Sequence, residues 1–170
     1  MADIGNTALT IEQTVDGAEI GSIWLDDDIF ARTADARVAE AGKDVIQVIL
    51  NHVKQEDDHI FLAVKAEDKL IGIVSAHPFR DGYEIHPIIL DEYRIQYAHV
   101  AIGRAIEWVY EHKQTDLVYT QIPACYKPML NFAQKRGFEL VEVLKGARHH
   151  NNGNHYDVWV LSLEKSKCRV

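Results

Sequence analysis

Cysteine is scarce in this chain: Cys125 and Cys168 are the two among 170 residues. They have no metal-ligand spacing, and one lies close to a polar C-terminus, so neither a disulfide framework nor a cysteine zinc site is expected. A reducing compartment suits them. Basic charge is also short, with 18 Lys and Arg against 26 Asp and Glu and a net charge of −8. No basic stripe appears, so a general nucleic-acid binder, which must displace counterions from phosphates, is excluded. The chain has no apolar run of membrane-spanning length and no charged-then-apolar leader pattern. No membrane partner is therefore expected, and the location expected is cytoplasmic. Internal repeats and low-complexity tracts are missing as well, which removes solenoids and linkers.

What is present is a globular composition, 47% hydrophobic and 26% charged, at a length that suits one domain over residues 1–170, with 1–7 and 165–170 frayed. Leu9 to Val15 alternates at period two as a half-buried strand does. Ala18 to Leu25 has helical spacing, and Asp26 or Asp27 caps a second short helix that turns Ile29 and Phe30 inward. After Gly42, Asp44 caps a helix whose Val45, Val48, Ile49 and Val53 share one face, ended by the acidic residues 56–58. The acidic runs Asp26-Asp27-Asp28 and Glu56-Asp57-Asp58 read as solvated helix starts or loop edges.

The stretch from Phe61 to Phe138 carries the most information. Ile60 to Val64 and Leu70 to Val74 are continuous apolar strands, buried on both faces at the sheet's centre. They are joined by the polar link Lys65 to Lys69 without an Asn-Gly turn, so a longer hairpin loop is expected. Tyr83 to Leu90 then runs straight into a helix, with Tyr97, Val100, Ala101, Arg104 and Trp108 at helical spacing over residues 97–112. Leu117 to Ile122 is a strand that Pro123 stops. A helix from Tyr126 or Pro128 buries Met129, Phe132 and Ala133 and ends at Gly137. Glu139 to Lys145 and His155 to Leu163 close the chain as a hairpin around residues 146–154.

This order, with Asp91-Glu92-Tyr93-Arg94, Ala105-Ile106-Glu107-Trp108 and Lys135-Arg136-Gly137-Phe138, resembles the GNAT superfamily of acyl-CoA-dependent N-acetyltransferases over the last two thirds of the chain. The variant with Tyr97-Ala98 and a Trp two turns later is similar to GNAT-like proteins of tailed phages. The resemblance implies an α/β (α+β) fold: a mixed, mostly antiparallel sheet with helices on both faces and a V-shaped opening after the fourth strand. It implies acetyl-CoA as cosubstrate, an amine of a small molecule or protein as acceptor, and transfer of the acetyl group between them. The alternative it leaves is a non-catalytic interaction protein, for instance one acting in phage head assembly or on a host target. A homodimer stays open.

Carried across by position, Ile88, Ile89 and Leu90 meet the pantetheine, and Arg94, Ile95, Gln96, Tyr97, Ala98 and His99 meet the phosphates. Both glycines of the family's motif are missing from that run. A second register sets Ala101-Ile102-Gly103-Arg104-Ala105 on the motif, keeps one glycine and puts Ala98 where arginine is wanted. Glu84 and His86 lie two apart on one strand face, near where the family places a carboxylate base, and read either as acid/base groups or as the polar face of a half-exposed strand. The family's tyrosine acid is replaced by Ala133, which leaves Tyr126, at the start of the same helix, as the candidate donor to the thioester sulfur or as a packing residue. His149, His150 and His155 read as a surface loop, so no metal is expected. Cys125 reads as a small buried residue.

Overall fold

A computed structural model of the chain describes residues 9–52, 58–150 and 152–168. The ends expected to fray lie largely outside these, as do Val53 and the acidic residues 56–57.

The alternating segment forms β1 (Leu9–Thr14). Asp16 then caps α1 (Gly17–Trp24) by accepting from the amides of Ala18 and Glu19. Asp26 does the same for α2 (Asp27–Thr33), whose Ile29 is buried. Capping matters here because the first amides of so short a helix have no partner of their own. A further short helix, α3 (Ala36–Ala41), precedes Gly42 and was not legible in the pattern. α4 (Lys43–His52) follows, with Asp44 inside its first turn rather than capping it. Its orientation corrects the expected face: Val45, Val48 and Ile49 are half exposed, while Leu50 is buried and Ile46 packs beside it. The helix carries two apolar stripes, and the sheet takes the one centred on Ile46 and Leu50.

β2 (Ile60–Ala66), β3 (Lys69–Phe79) and β4 (Gly82–Ile89) form a meander. Ala66 pairs with Lys69 across Glu67 and Asp68, which take φ of 51° and 63°. The longer loop is therefore not formed. Two left-handed residues make the tight turn whose twist suits a hairpin, even without glycine.

The helix after β4 is α5 (Asp91–His112), longer than expected at its start. Asp91 and Glu92 fill its first turn, where negative charge is favoured. β5 (Leu117–Pro123), α6 (Lys127–Lys135), β6 (Glu139–His149) and β7 (His155–Glu164) complete the chain. Gly137, at φ 97° just past α6, supplies the left-handed residue that ends it.

The seven strands order as β1-β2-β3-β4-β5-β7-β6. All neighbours are antiparallel except β4 and β5, so β4, not the β2–β3 pair, is the middle strand. α5 covers one face through Ala101, Ala105, Ile106 and Val109, while Val100, expected on that face, is exposed. α1, α2 and α4 cover the other face over Phe61, Ala63 and Ile73. Among the described residues, no helix is long and apolar enough to cross a membrane.

Candidate active site

The parallel pairing of β4 with β5 lasts two rungs, Tyr83 with Val118 and Glu84 with Tyr119. Beyond them the strands part. β4 stays paired to β3 as far as Ile89, so among the described residues its other edge from Ile85 onward has no ladder partner. A parting of this kind leaves main-chain donors and acceptors free for an extended ligand. The gap opens into a cavity of about 620 Å³ whose walls are mainly apolar, from Ile85, Ile88 and Ile89 on one side to Ile122, Met129 and Phe132 on the other.

Glu84 sits on the last paired rung. It is 2% exposed, which removes the reading of a half-exposed polar strand face for this residue. Period-two alternation turns Glu84, His86 and Ile88 toward the helices α1, α2 and α4, and Ile85 and Ile89 toward α5. Gln121 Nε2 donates to Glu84 Oε2 at 2.9 Å. His86 Nε2 stands 3.2 Å from Oε1, and His77 Nε2 stands 3.8 Å from Oε2. Oε1 is buried without an aligned donor among the described residues.

Electrostatics follow from that burial. Desolvation raises the Glu84 pKa, with the Gln121 hydrogen bond and His77 opposing it. The same effect, helped by His59 and Arg148, lowers His86 to about 4, although 41% of its side chain meets solvent, so burial fixes the direction of the shift more firmly than its size. His77 and His59 are also pushed down by burial. The cluster thus holds imidazoles that are neutral near neutrality beside a carboxylate reluctant to ionise. His77 and His59 were not legible in the sequence, because the pairing of β3 with β4 and the position of His59 just before β2 bring them in. His77, Glu84 and His86 also place one ligand atom each within 4.8 Å of one another, an N,N,O set of the kind divalent ions use. As an acid–base cluster it needs no ion.

Tyr126 lines the cavity. Its hydroxyl donates to the Arg32 carbonyl at the end of α2, and burial raises its pKa. Cys125 also lines the cavity but is exposed, not buried as expected, because it stands in the turn between β5 and α6. His149 and His155 stack on each other at 4.4 Å across the last hairpin. His150 instead reaches toward Tyr126, 3.4 Å from its hydroxyl.

Of the residues expected to hold a cofactor, Ile88, Ile89, Arg94 and Ala98 line the cavity; Leu90, Ile95, Gln96, Tyr97 and His99 do not. The whole Arg94–His99 run lies within α5. Arg94 belongs to the first turn, whereas from Ile95 onward the amides are positioned for the helix's own carbonyls. Ile95 points fully into solvent. Arg94 pairs with Asp91, and so does Arg32.

No protein-family profile matches the chain, and no curated protein matches its sequence. Solved structures do match. Spermidine N-acetyltransferase SpeG from Vibrio cholerae, in complex with CoA and spermine, superposes with a TM-score of 0.78 at 18% identity, over 95% of this chain and 98% of that one. The chain has the GNAT acetyltransferase fold. A putative GNAT-family acetyltransferase from Desulfovibrio desulfuricans matches at a TM-score of 0.70 and 14% identity, over 93% of this chain and 99% of that one. An acetyltransferase of the GNAT family from Streptococcus pneumoniae gives 0.68 and 16%, over 92% and 99%. The parting of β4 and β5 thus lies within a shared fold, and activity has to be argued from the residues at the site.

Proposed function

We propose that the chain is an acetyl-CoA-dependent N-acetyltransferase acting on an amine of a small molecule or protein. The observation that carries the reading is a buried carboxylate, Glu84, on the last shared rung of β4 and β5, one residue before Ile85, where the lining of a large apolar cavity begins. The slot fits an extended pantetheine arm: apolar walls for its methylenes and geminal methyls, and a free strand edge for its two amides. CoA supplies an acyl thioester, an activated carbonyl with a thiolate leaving group.

The protein's own part is positioning and proton handling. Glu84 accepts a proton from the incoming amine, directly or through water; burial raises its pKa and so makes its ionised form a stronger base than a solvated carboxylate. Gln121 fixes the carboxylate, and the neutral imidazoles of His86 and His77 give the proton a way out toward solvent. Tyr126, kept protonated by burial and lining the cavity, turns its hydroxyl from the Arg32 carbonyl to donate to the departing sulfur. The net charge of −8 favours cationic amines, and the likeness to an enzyme crystallised with spermine supports an amine acceptor. A cytoplasmic location belongs to the same reading, since that compartment holds acetyl-CoA and keeps Cys125 and Cys168 as thiols. A homodimer and a phage origin are compatible with it.

The test is release of free thiol from acetyl-CoA in the presence of spermidine, spermine or a lysine-bearing peptide. The expected result is amine-dependent release that Glu84→Gln lowers by roughly 10²- to 10⁴-fold. Binding of CoA with no release on any amine would point to a scaffold retained for partner recognition.

A further inference from the structure

Arg136, the residue after α6, is 4% exposed and lines the cavity at its α5–α6 end. Its Nη2 donates to the main-chain carbonyl of His99 within α5, and its guanidinium lies over the Phe132 ring at 5.5 Å. No carboxylate closes on it among the described residues, and its Nε is buried without any partner. The ionisable groups whose charge reaches it, Glu107 and Cys168, make no ion pair with it. A buried cation without a counter-ion is costly, and burial accordingly pushes its pKa down. Arg94 and Arg32, the other arginines of the cavity wall, are each already paired with Asp91.

The packing around the guanidinium is specific. A Cβ added at Gly103 would stand 3.0 Å from Nη1 and 3.3 Å from Nη2, so the bare glycine makes room for the charge against α5. Gly103 is also the one glycine that the second register of the family motif keeps. The amides expected to meet phosphates are, from Ile95 onward, inside a helix, and the first turn of that helix carries Asp91 and Glu92. An anion at this end of the cavity therefore needs a different donor.

We infer that Arg136 is the anion anchor of the cavity and binds the diphosphate of the acyl donor, replacing the backbone cradle that the extended α5 removes. This rests on the acyl-CoA reading above and deepens it. The diphosphate is the first anion along the donor beyond the pantetheine arm, so a cation at the end of the apolar slot meets it before the 3′-phosphate. Nε, which has no partner, and the Nη2 proton not used on His99 form one edge of the planar fork that phosphate oxygens accept in pairs.

Calorimetric titration of CoA, dephospho-CoA and pantetheine into wild type, Arg136→Gln and Arg136→Lys tests it. Arg136→Gln is expected to weaken CoA and dephospho-CoA alike by about 10- to 100-fold and to leave pantetheine within about two-fold. Arg136→Lys keeps the charge but loses the fork, and its loss should fall between the two. If the glutamine variant does not fold, the lysine variant with pantetheine as its internal control still decides the matter. Equal weakening of pantetheine and CoA would show that Arg136 only holds α5 to α6, and unchanged CoA affinity would show that the anion binds elsewhere. Either overturns this inference while leaving the acetyltransferase reading intact. A wild type that binds none of the three would sink both.

Discussion

Arg32 closes on Asp91 as a two-pronged pair, Nη1 to Oδ2 at 2.9 Å and Nη2 to Oδ1 at 3.0 Å. The pair ties the end of α2 to the first turn of α5, and Arg94 joins the same carboxylate. Asp91 thus occupies two arginines of the cavity wall, and the hydrogen bond from Arg32 holds its pKa below the usual carboxylate range.

Asp91→Asn should release both arginines and remove a negative charge from the cavity mouth. CoA affinity is expected to rise by up to about ten-fold, since one more charge-assisted phosphate contact becomes available. Stability should move by no more than about 1 kcal/mol, because both partners of the pair are partly exposed. Calorimetry and thermal melting report the two effects separately, and weaker CoA binding would show that the pair organises the mouth rather than blocking it.

Gly103→Ala separates packing from ligand binding. Alanine gains about 1 kcal/mol of helix propensity in the interior of α5, but its Cβ pushes on the Arg136 guanidinium. The expected result is a melting temperature equal to or above that of wild type together with CoA binding weakened several-fold. A stabilised variant with wild-type affinity would mean that the guanidinium shifts without consequence.

The histidine cluster makes stability depend on pH. His59, His77 and His86 are all pushed down by burial, so the fold favours their neutral forms. As pH falls through the ordinary value of 6.5, the unfolded chain takes up protons first. Their contribution is therefore complete above 6.5 and is lost on the way down to about 4, the value for His86. Melting temperature should drop between about pH 7 and pH 5, and His86→Gln should drop less over the same interval. Glu84, raised by burial, pulls the other way, so the decisive comparison is between the two proteins, and identical profiles in wild type and His86→Gln would contradict the lowered His86.

Glu84→Gln tests the base. The substitution keeps shape and an oxygen for Gln121 to donate to, but removes proton acceptance, so turnover should fall by roughly 10²- to 10⁴-fold with CoA affinity unchanged. Because burial raises the Glu84 pKa, the neutral isostere should also melt higher near neutral pH. Full turnover in the variant would place the base elsewhere.

The strand and helix order was readable because it rests on local pattern, and even Glu84 and His86 were legible as residues sharing a strand face. What the chain hid comes from contacts between distant segments. His77 joins Glu84 through the pairing of β3 with β4, and Arg136 finds His99 across the α5–α6 packing. α4 offered two apolar stripes with no local signal to choose between them. The start of α5 did carry a signal: Asp91 and Glu92 are good first-turn residues, and they outweigh a resemblance that would place a loop at Arg94–His99.

The central claim is that the apolar cavity between the parting strands holds an acyl-CoA. Titrating acetyl-CoA into the purified chain by calorimetry at two or more temperatures tests it most directly. The account predicts one site per chain and a negative heat-capacity change from burial of the pantetheine arm, both lost when Ile88→Arg or Ala98→Arg fills the slot. No heat at millimolar acetyl-CoA, or binding that survives both substitutions, would contradict it.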